Sequence, residues 1–141
     1  MKRVFSAIFA IGAGLFMLVS CTTPASELDG KWRIVEVDGE AITSDKPYLE
    51  FNPADSTVAG YLGCNRTFGR CLFSAEDPRA ISFSRMGMTM MMCPEMELED
   101  RISAALHAVV SCDYPAAGKL RLLDAEKKSV LLLQKEESKE E

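Results

Sequence analysis

The chain has 141 residues, of which 48% are hydrophobic, and its 16 basic and 21 acidic side chains give a net charge of −5. This length accommodates one domain with a sizeable core after an N-terminal leader is removed. The acidic balance and the lack of a basic patch argue against nucleic acid and anionic lipid head groups as partners.

The first residues have the organisation of a bacterial lipoprotein signal peptide, which we place at residues 1–20. Lys2 and Arg3 precede an almost unbroken apolar run over residues 4–19, which is shorter than the roughly 20 apolar residues that span a membrane. The run closes on Leu18-Val19-Ser20-Cys21, the pattern of a lipobox. We expect cleavage before Cys21 and a membrane anchor of acyl chains on that cysteine, because several chains hold a protein firmly.

The residues after the lipobox predict where the anchored domain lies. Thr22 replaces the aspartate that typically retains lipoproteins in the inner membrane. We therefore expect a lipid-anchored protein of the cell envelope, in the outer membrane and facing the periplasm. Residues 21–27 form only a short tether, so the domain is expected to sit close to the bilayer.

Short strands separated by turns account for most of the mature chain. Alternating apolar residues and β-branched or aromatic residues predict strands at 32–37, 48–51, 57–62, 80–84, 119–123 and 129–134, with a further strand that ends at Phe73. Polar or glycine-containing turns separate several of them, and the last two strands form a hairpin. The domain is expected to span residues 28–135, and residues 136–141 are expected to be a disordered acidic tail.

One segment predicts a helix. Pro94 suits its first helical position, and Glu95, Glu97 and Glu99 fall where the helix dipole favours anions. The apolar residues that recur at the spacing of one helix face are Leu98, Ile102, Ala105, Leu106 and Val109. Together these elements predict an α+β domain, in which a curved or barrel-like antiparallel sheet of seven or eight short strands has one helix packed across it.

Several landmarks follow one another in a characteristic order. They are Leu28-Asp29-Gly30-Lys31-Trp32, Val58-Ala59-Gly60, Gly63-Cys64-Asn65, Met88-Thr89-Met90-Met91-Met92-Cys93 and Lys119-Leu120-Arg121-Leu122. This order resembles the META domain family, which includes HslJ-like bacterial lipoproteins. The resemblance implies a compact antiparallel sheet with one helix, no enzymatic reaction, and a link to envelope stress and antibiotic tolerance. The residues that match family landmarks are Trp32, Gly63, Cys64, Asn65, Thr89 and Cys93.

Four of the five cysteines remain once Cys21 is assigned to the anchor. An even number in an oxidising compartment favours disulfides, and the residues alone leave three pairings open. The resemblance favours a Cys64–Cys93 bridge because both cysteines belong to the family pattern, and Cys71–Cys112 then follows by elimination. The spacings contain no C-x-x-C motif and match no common zinc pattern, so structural bridges are expected instead of reactive thiols or a metal site.

The segment at residues 86–96 is rich in methionine. Thioether and thiolate ligands select Cu(I), so this segment predicts an alternative function as a small-ligand or Cu(I) carrier. In an extended run Met88, Met90 and Met92 would share one face, beside Cys93. Methionine also fills irregular gaps between a helix and a sheet, and this simpler interpretation assigns no metal.

The remaining polar residues form no catalytic constellation. His107 is the only histidine and falls on the solvent side of the predicted helix, away from the apolar stripe. Asn65 is expected to hold the turn after Cys64 with its side chain. We therefore expect no enzyme and no cofactor, but a non-enzymatic lipoprotein whose domain binds an envelope protein or a small ligand.

Overall fold

The computed structural model describes residues 24–94 and 96–137. Its helices are α1 (Pro24–Leu28) and α2 (Glu97–Ala108), and its strands are β1 (Gly30–Val37), β2 (Glu40–Ala41), β3 (Tyr48–Asn52), β4 (Thr57–Tyr61), β5 (Arg66–Phe73), β6 (Ile81–Met88), β7 (Ser111–Asp113), β8 (Lys119–Leu123) and β9 (Ser129–Lys135). The predicted signal peptide, the anchor at Cys21, the helical position of Glu95 and the tail beyond residue 137 lie outside the described residues.

The described strands form one antiparallel sheet that curls on itself. The strand order is β6-β5-β4-β3-β1-β9-β8-β7, and the short β2 pairs with β1. The two outer strands are β6 and β7, and the chain just before β6 contacts β7. Ala80 pairs with Ser111, and the backbone N–H of Cys112 donates to the carbonyl of Arg79 at 2.8 Å. The predicted curved, barrel-like antiparallel sheet is confirmed, and α1, β2 and β7 are additional to the predicted elements.

Helix α2 packs against the sheet with the face that its sequence predicts. Ile102, Ala105, Leu106 and Val109 are buried, and Leu98 is half-buried against the same core. His107 is exposed, as predicted. The predicted start at Pro94 is wrong, since the helix begins at Glu97. Cys93, which precedes Pro94, forms a disulfide with Cys64. The backbone next to this bridge is not helical, and the helix starts only after it.

The interior of the curled sheet is filled by apolar side chains. Trp32 lies at the α1 end of this core and is 2% exposed. Its indole Nε1–H donates to the carbonyl of Leu28 at 2.8 Å, so the indole also fixes α1 to the sheet. Near the C-terminus, the backbone N–H of Glu136 donates to the carbonyl of Lys31 at 2.9 Å. The first residue of the predicted tail is therefore held against β1. Within the described residues, neither helix is long and apolar enough to cross a membrane.

Candidate functional site: a methionine loop held by a buried clasp

A tight turn between β4 and β5 forms the base of the site. Gly63 has a backbone φ of +124°, a conformation that favours glycine because it lacks a β-carbon. Cys64 and Asn65 follow, and each is only 1% exposed. The N–H of Leu62 donates to the carbonyl of Asn65 at 3.0 Å, which closes the turn. The turn therefore buries both Cys64 and the polar side chain of Asn65.

The side chain of Asn65 joins this turn to the segment that follows β6. Its Oδ1 accepts hydrogen bonds from the N–H of Met91 at 2.6 Å and the hydroxyl of Thr89 at 3.0 Å. Its Nδ2 donates to the carbonyl of Met91 at 3.1 Å and to Oε1 of Glu99 at 2.7 Å. Asn65 therefore holds a chain segment about 25 residues away, where the sequence predicted only a local role in its own turn.

Glu99 completes the arrangement from the first turn of α2. Its side chain is 0% exposed, and a buried carboxylate is costly unless it is hydrogen-bonded. Its Oε2 accepts from the backbone N–H groups of Cys64, at 3.1 Å, and Asn65, at 2.5 Å. Asn65, Thr89 and Glu99 thus form one hydrogen-bonded unit, which we call the clasp.

This role of Glu99 was not predicted from the sequence, where its position indicated only an anion favoured by the helix dipole. A signal was present, because Glu99 precedes the buried Ile102 by three residues and Leu106 by seven. That spacing places Glu99 on the apolar face of the helix. A carboxylate on such a face requires buried donors, and the turn at Cys64 supplies them.

A disulfide bridge lies beside the clasp. Cys64 is bonded to Cys93, with 6.0 Å between the two Cα atoms. The predicted Cys64–Cys93 pairing is confirmed. The bridge and the clasp together fix both sides of the segment that connects β6 to α2.

This segment exposes three consecutive methionines, residues 90–92, which we call the Met loop. The exposed fractions of Met90, Met91 and Met92 are 88%, 59% and 90%. Met86 and Met88, which precede them on β6, are partly buried and pack against the core. The Met loop is therefore an apolar surface on a backbone that the clasp holds in place.

The Met loop lies at the opposite end of the curled sheet from α1. Four antiparallel pairings separate β1 from β6 in the strand order, so these two strands run in the same direction. Helix α1 precedes the start of β1, and the Met loop follows the end of β6.

The predicted Cu(I) ligand set is not brought together. Met88, the last residue of β6, packs against the core, whereas Met90 and Met92 are exposed. Cys93 is in the disulfide and has no thiolate to offer. Among the described residues, no group of three or more His, Cys, Asp or Glu side chains is arranged to hold a metal ion.

The predicted Cys71–Cys112 bridge is wrong, since both cysteines are free and buried. Cys71 is in β5 and Cys112 is in β7, and the start of β6 lies between these strands. Two strand spacings are roughly 9–10 Å, which exceeds the Cα separation of at most about 7 Å that a disulfide spans. Burial raises the pKa of the Cys71 thiol to about 12 and that of Cys112 to about 11, and the nearby Cys112 adds to the shift at Cys71.

Among the described residues, the space beside α2 is small and the groove beside α1 is open. A cavity of about 140 Å³ lies between α2 and the strands, and its lining includes Met86, Met88 and His107. An open groove of about 470 Å³ runs beside α1 and is lined by Glu27, Trp32, Tyr114, Ala116, Ala117, Gly118 and Lys135. Ligand pockets in proteins are typically enclosed and roughly 300–1,000 Å³, so neither space has both the size and the enclosure of such a pocket.

Comparison with known proteins identifies the family. The model of the META domain matches residues 25–137, most of the chain. The chain belongs to the META domain family. Of the META landmarks in the sequence, Gly63, Cys64, Asn65, Thr89 and Cys93 meet in this one site, whereas Trp32 lies at the α1 end of the core.

Solved structures share the fold of this META domain. The NMR structure of a protein from Burkholderia xenovorans is similar, with a TM-score of 0.59 and 21% identity over 96% of this chain and 98% of that one. The crystal structure of a DUF4847 family protein from Bacteroides vulgatus is also similar, with a TM-score of 0.57 and 15% identity over 76% of this chain and 92% of that one. No curated protein matches the chain significantly. At these identities the likeness concerns the fold alone.

Proposed function

We propose that this META domain protein is a non-enzymatic lipoprotein of the bacterial cell envelope, anchored through Cys21 in the outer membrane, whose domain binds an envelope protein through the Met loop. The observation that carries the proposal is the exposure of three adjacent methionines on a backbone fixed by the clasp. Methionine-rich surfaces adapt to apolar partners, and fixing the backbone in advance reduces the entropy lost on binding. A role in envelope stress or antibiotic tolerance is the physiological context that the family suggests.

The position of the Met loop supports this proposal. An anchor at Cys21 would precede α1 by only a few residues. Because the Met loop lies at the end opposite α1, such an anchor would leave the loop facing away from the bilayer, where it could meet a partner in the periplasm. The disulfide also fits an oxidising compartment.

The anchor is tested by comparing the wild-type protein with Cys21→Ala in cell fractions. We expect wild-type protein in the outer-membrane fraction with bound palmitate, and the variant as an unprocessed or soluble form. Wild-type protein that lacks a lipid and fractionates with soluble proteins would contradict the anchor without affecting the contact proposed for the loop.

The contact is tested by placing a photocrosslinking amino acid at Met90 or Met92 in living cells. The matched control site is Ala117, which is exposed beside α1 at the other end of the sheet. We expect discrete protease-sensitive adducts from the loop sites and not from Ala117. Identical adducts from both ends, or none from the loop, would contradict the proposal.

A second candidate function is a Cu(I) carrier that uses thioethers alone. The accessible sulfur atoms of the Met loop support it, but the loss of Cys93 as a thiolate removes its strongest ligand. Titration of the full chain with Cu(I) against a competing chelator tests this candidate, with Met90→Leu and Met92→Leu as variants. Binding weaker than about micromolar, or binding that the two substitutions leave unchanged, would exclude it.

A further inference from the structure

The methionines on either side of Thr89 have very different surroundings. Met90 and Met92 are 88% and 90% exposed, whereas Met86 and Met88 pack against the core. We propose that the Met loop is a methionine oxidation site, at which a peroxide converts the thioethers to sulfoxides while the domain remains folded. The site does not depend on the function proposed above.

The reaction needs only an accessible sulfur atom and a two-electron oxidant. The thioether sulfur attacks one oxygen of hydrogen peroxide, the O–O bond breaks, and the second oxygen leaves as water after a proton transfer. The sulfur is oxidised by two electrons and gains one oxygen atom, and the peroxide is reduced. The product is methionine sulfoxide, which is polar where the thioether was apolar.

The core methionines are protected by their packing. The Sδ atom of Met86 lies so close to the backbone of Gly69 that a β-carbon on that residue would overlap it. On the side of Met86 that faces Gly69, an added oxygen would need space that the backbone already fills. Met88 pairs with Thr67 on β5 and contacts the same core. Both side chains are therefore less exposed to peroxide than those of Met90 and Met92.

The bonds that hold the Met loop do not depend on its sulfur atoms. Asn65 binds the backbone N–H and carbonyl of Met91. Thr89 and Glu99 contribute a hydroxyl and a carboxylate, and the bridge from Cys64 to Cys93 is covalent. Oxidation of the thioethers leaves each of these bonds in place. The loop is thus built so that its surface changes polarity without loss of the underlying fold.

The experiment exposes the full chain, purified in detergent, to graded hydrogen peroxide. The six methionines of residues 86–96 share one tryptic peptide, because cleavage follows Arg85 and Arg101. Fragment ions of this peptide therefore compare the rates within one molecule. We expect Met90 and Met92 to oxidise on the order of tenfold faster than Met86 and Met88, and this difference to disappear in denaturant. Equal rates in the folded protein would overturn the proposal.

A second measurement tests whether the fold survives. Protein oxidised only at residues 90–92 is expected to keep its near-ultraviolet circular dichroism, with a Tm within about 2 °C of the untreated protein. Loss of that signal on oxidation of the loop would overturn the proposal. In the variant that combines Met90→Leu, Met91→Leu and Met92→Leu, the fast phase of methionine sulfoxide formation is expected to be lost. The Met86→Leu variant is expected to retain that phase. A fast phase that persists in the triple variant would also overturn the proposal.

Discussion

The two pairs of cysteines in the described domain lie in contrasting surroundings. Cys64 and Cys93 are covalently joined next to an exposed loop. The hydrogen bonds that Glu99 accepts from the backbone of Cys64 and from Asn65 fix the same region. Cys71 and Cys112 are reduced and lie in the apolar core. The first pair connects elements that are distant in sequence, and the second pair fills space between strands.

The difference shows that position in the sheet determines the role of a cysteine here. A turn and a loop can bring two Cα atoms within the 6.0 Å observed for Cys64 and Cys93, while strands on either side of β6 hold Cys71 and Cys112 apart. Burial then raises the pKa of both core thiols, which disfavours the nucleophilic thiolate. The core pair is therefore expected to be chemically inert in the folded protein.

The largest effect is expected when the clasp loses its carboxylate. Glu99→Ala leaves the backbone N–H groups of Cys64 and Asn65 without their acceptor and removes one of the two acceptors of the Asn65 side-chain amide. Unpaired buried donors are costly, so we expect the free energy of unfolding to fall by about 4 kcal/mol. Urea unfolding measures the change. The matched control is Glu97→Ala in the same helical turn, where the side chain is exposed, and equal losses in both variants would refute a special role for Glu99.

Removal of the disulfide is expected to have a somewhat smaller effect. The bridge spans 29 residues, and closure of such a loop contributes about 3–4 kcal/mol in the chain-entropy model. Cys64→Ser with Cys93→Ser should lower the free energy of unfolding by that amount and abolish the response to dithiothreitol. The control is Cys71→Ala with Cys112→Ala, which should keep the full response. If Cys71→Ala with Cys112→Ala abolished the destabilisation by dithiothreitol, the bridge would lie in the core pair and not between Cys64 and Cys93.

The core thiols predict a pH dependence in the alkaline range. In the unfolded chain each thiol ionises near its ordinary pKa of 9.0, but in the folded protein ionisation requires about pH 12 for Cys71 and about pH 11 for Cys112. Between the unfolded and the folded pKa of each thiol, the folded state binds more protons than the unfolded state. The free energy of unfolding therefore falls as pH rises, by up to about 1.4 kcal/mol per pH unit for each thiol. Below about pH 9 both states are protonated and these thiols give no slope.

Unfolding by urea between pH 8 and about pH 10.5 checks this prediction. The double variant Cys71→Ala and Cys112→Ala is expected to show a shallower decline than the wild-type protein, whatever its stability at neutral pH. Parallel declines in the two proteins would show that the thiols do not titrate as their burial implies. Alkylation by iodoacetamide provides a second test. In the folded protein at pH 8, Cys71 and Cys112 should be alkylated only as fast as unfolding exposes their thiols.

The smallest expected effect comes from the edge of the clasp. The Thr89 hydroxyl donates to Asn65 and accepts the N–H of Arg66 at 3.0 Å. Because Thr89 is exposed, water can replace part of what Thr89→Val removes, and we expect a loss of about 1 kcal/mol. Amide exchange at Arg66 should become faster, whereas Thr43→Val, in an exposed loop, should leave it unchanged. Unaltered exchange in Thr89→Val would remove this residue from the clasp.

Local patterns in the sequence predicted much of this architecture. Alternation identified most strands, and the apolar spacing from Leu98 to Val109 identified the buried face of α2. The predicted start of α2 at Pro94 was wrong because Pro94 follows Cys93, whose disulfide partner is distant in sequence. The family resemblance predicted the Cys64–Cys93 bridge, whereas the second bridge was inferred without knowledge of which strands are neighbours.

The clasp itself was not predicted, because its hydrogen bonds join residues far apart in the chain. Glu99 and Asn65 are 34 residues apart, and no local pattern shows which buried donors a helical carboxylate meets. The apolar spacing around Glu99 could have indicated burial but not its partner. The lipid anchor at Cys21 lies outside the described residues and stays a prediction.

The contacts of Glu99 also bear on how the newly made chain acquires its correct bridge. Four thiols permit three ways of forming two bridges, and a chain oxidised before it folds could adopt any of them. The carboxylate of Glu99 holds the backbone at Cys64 without any help from sulfur chemistry. A reduced chain that has folded around this contact already has Cys64 facing Cys93 and has its other two thiols shielded. Folding in this order would make the helix, by packing on the turn, select the cysteine partner before oxidation.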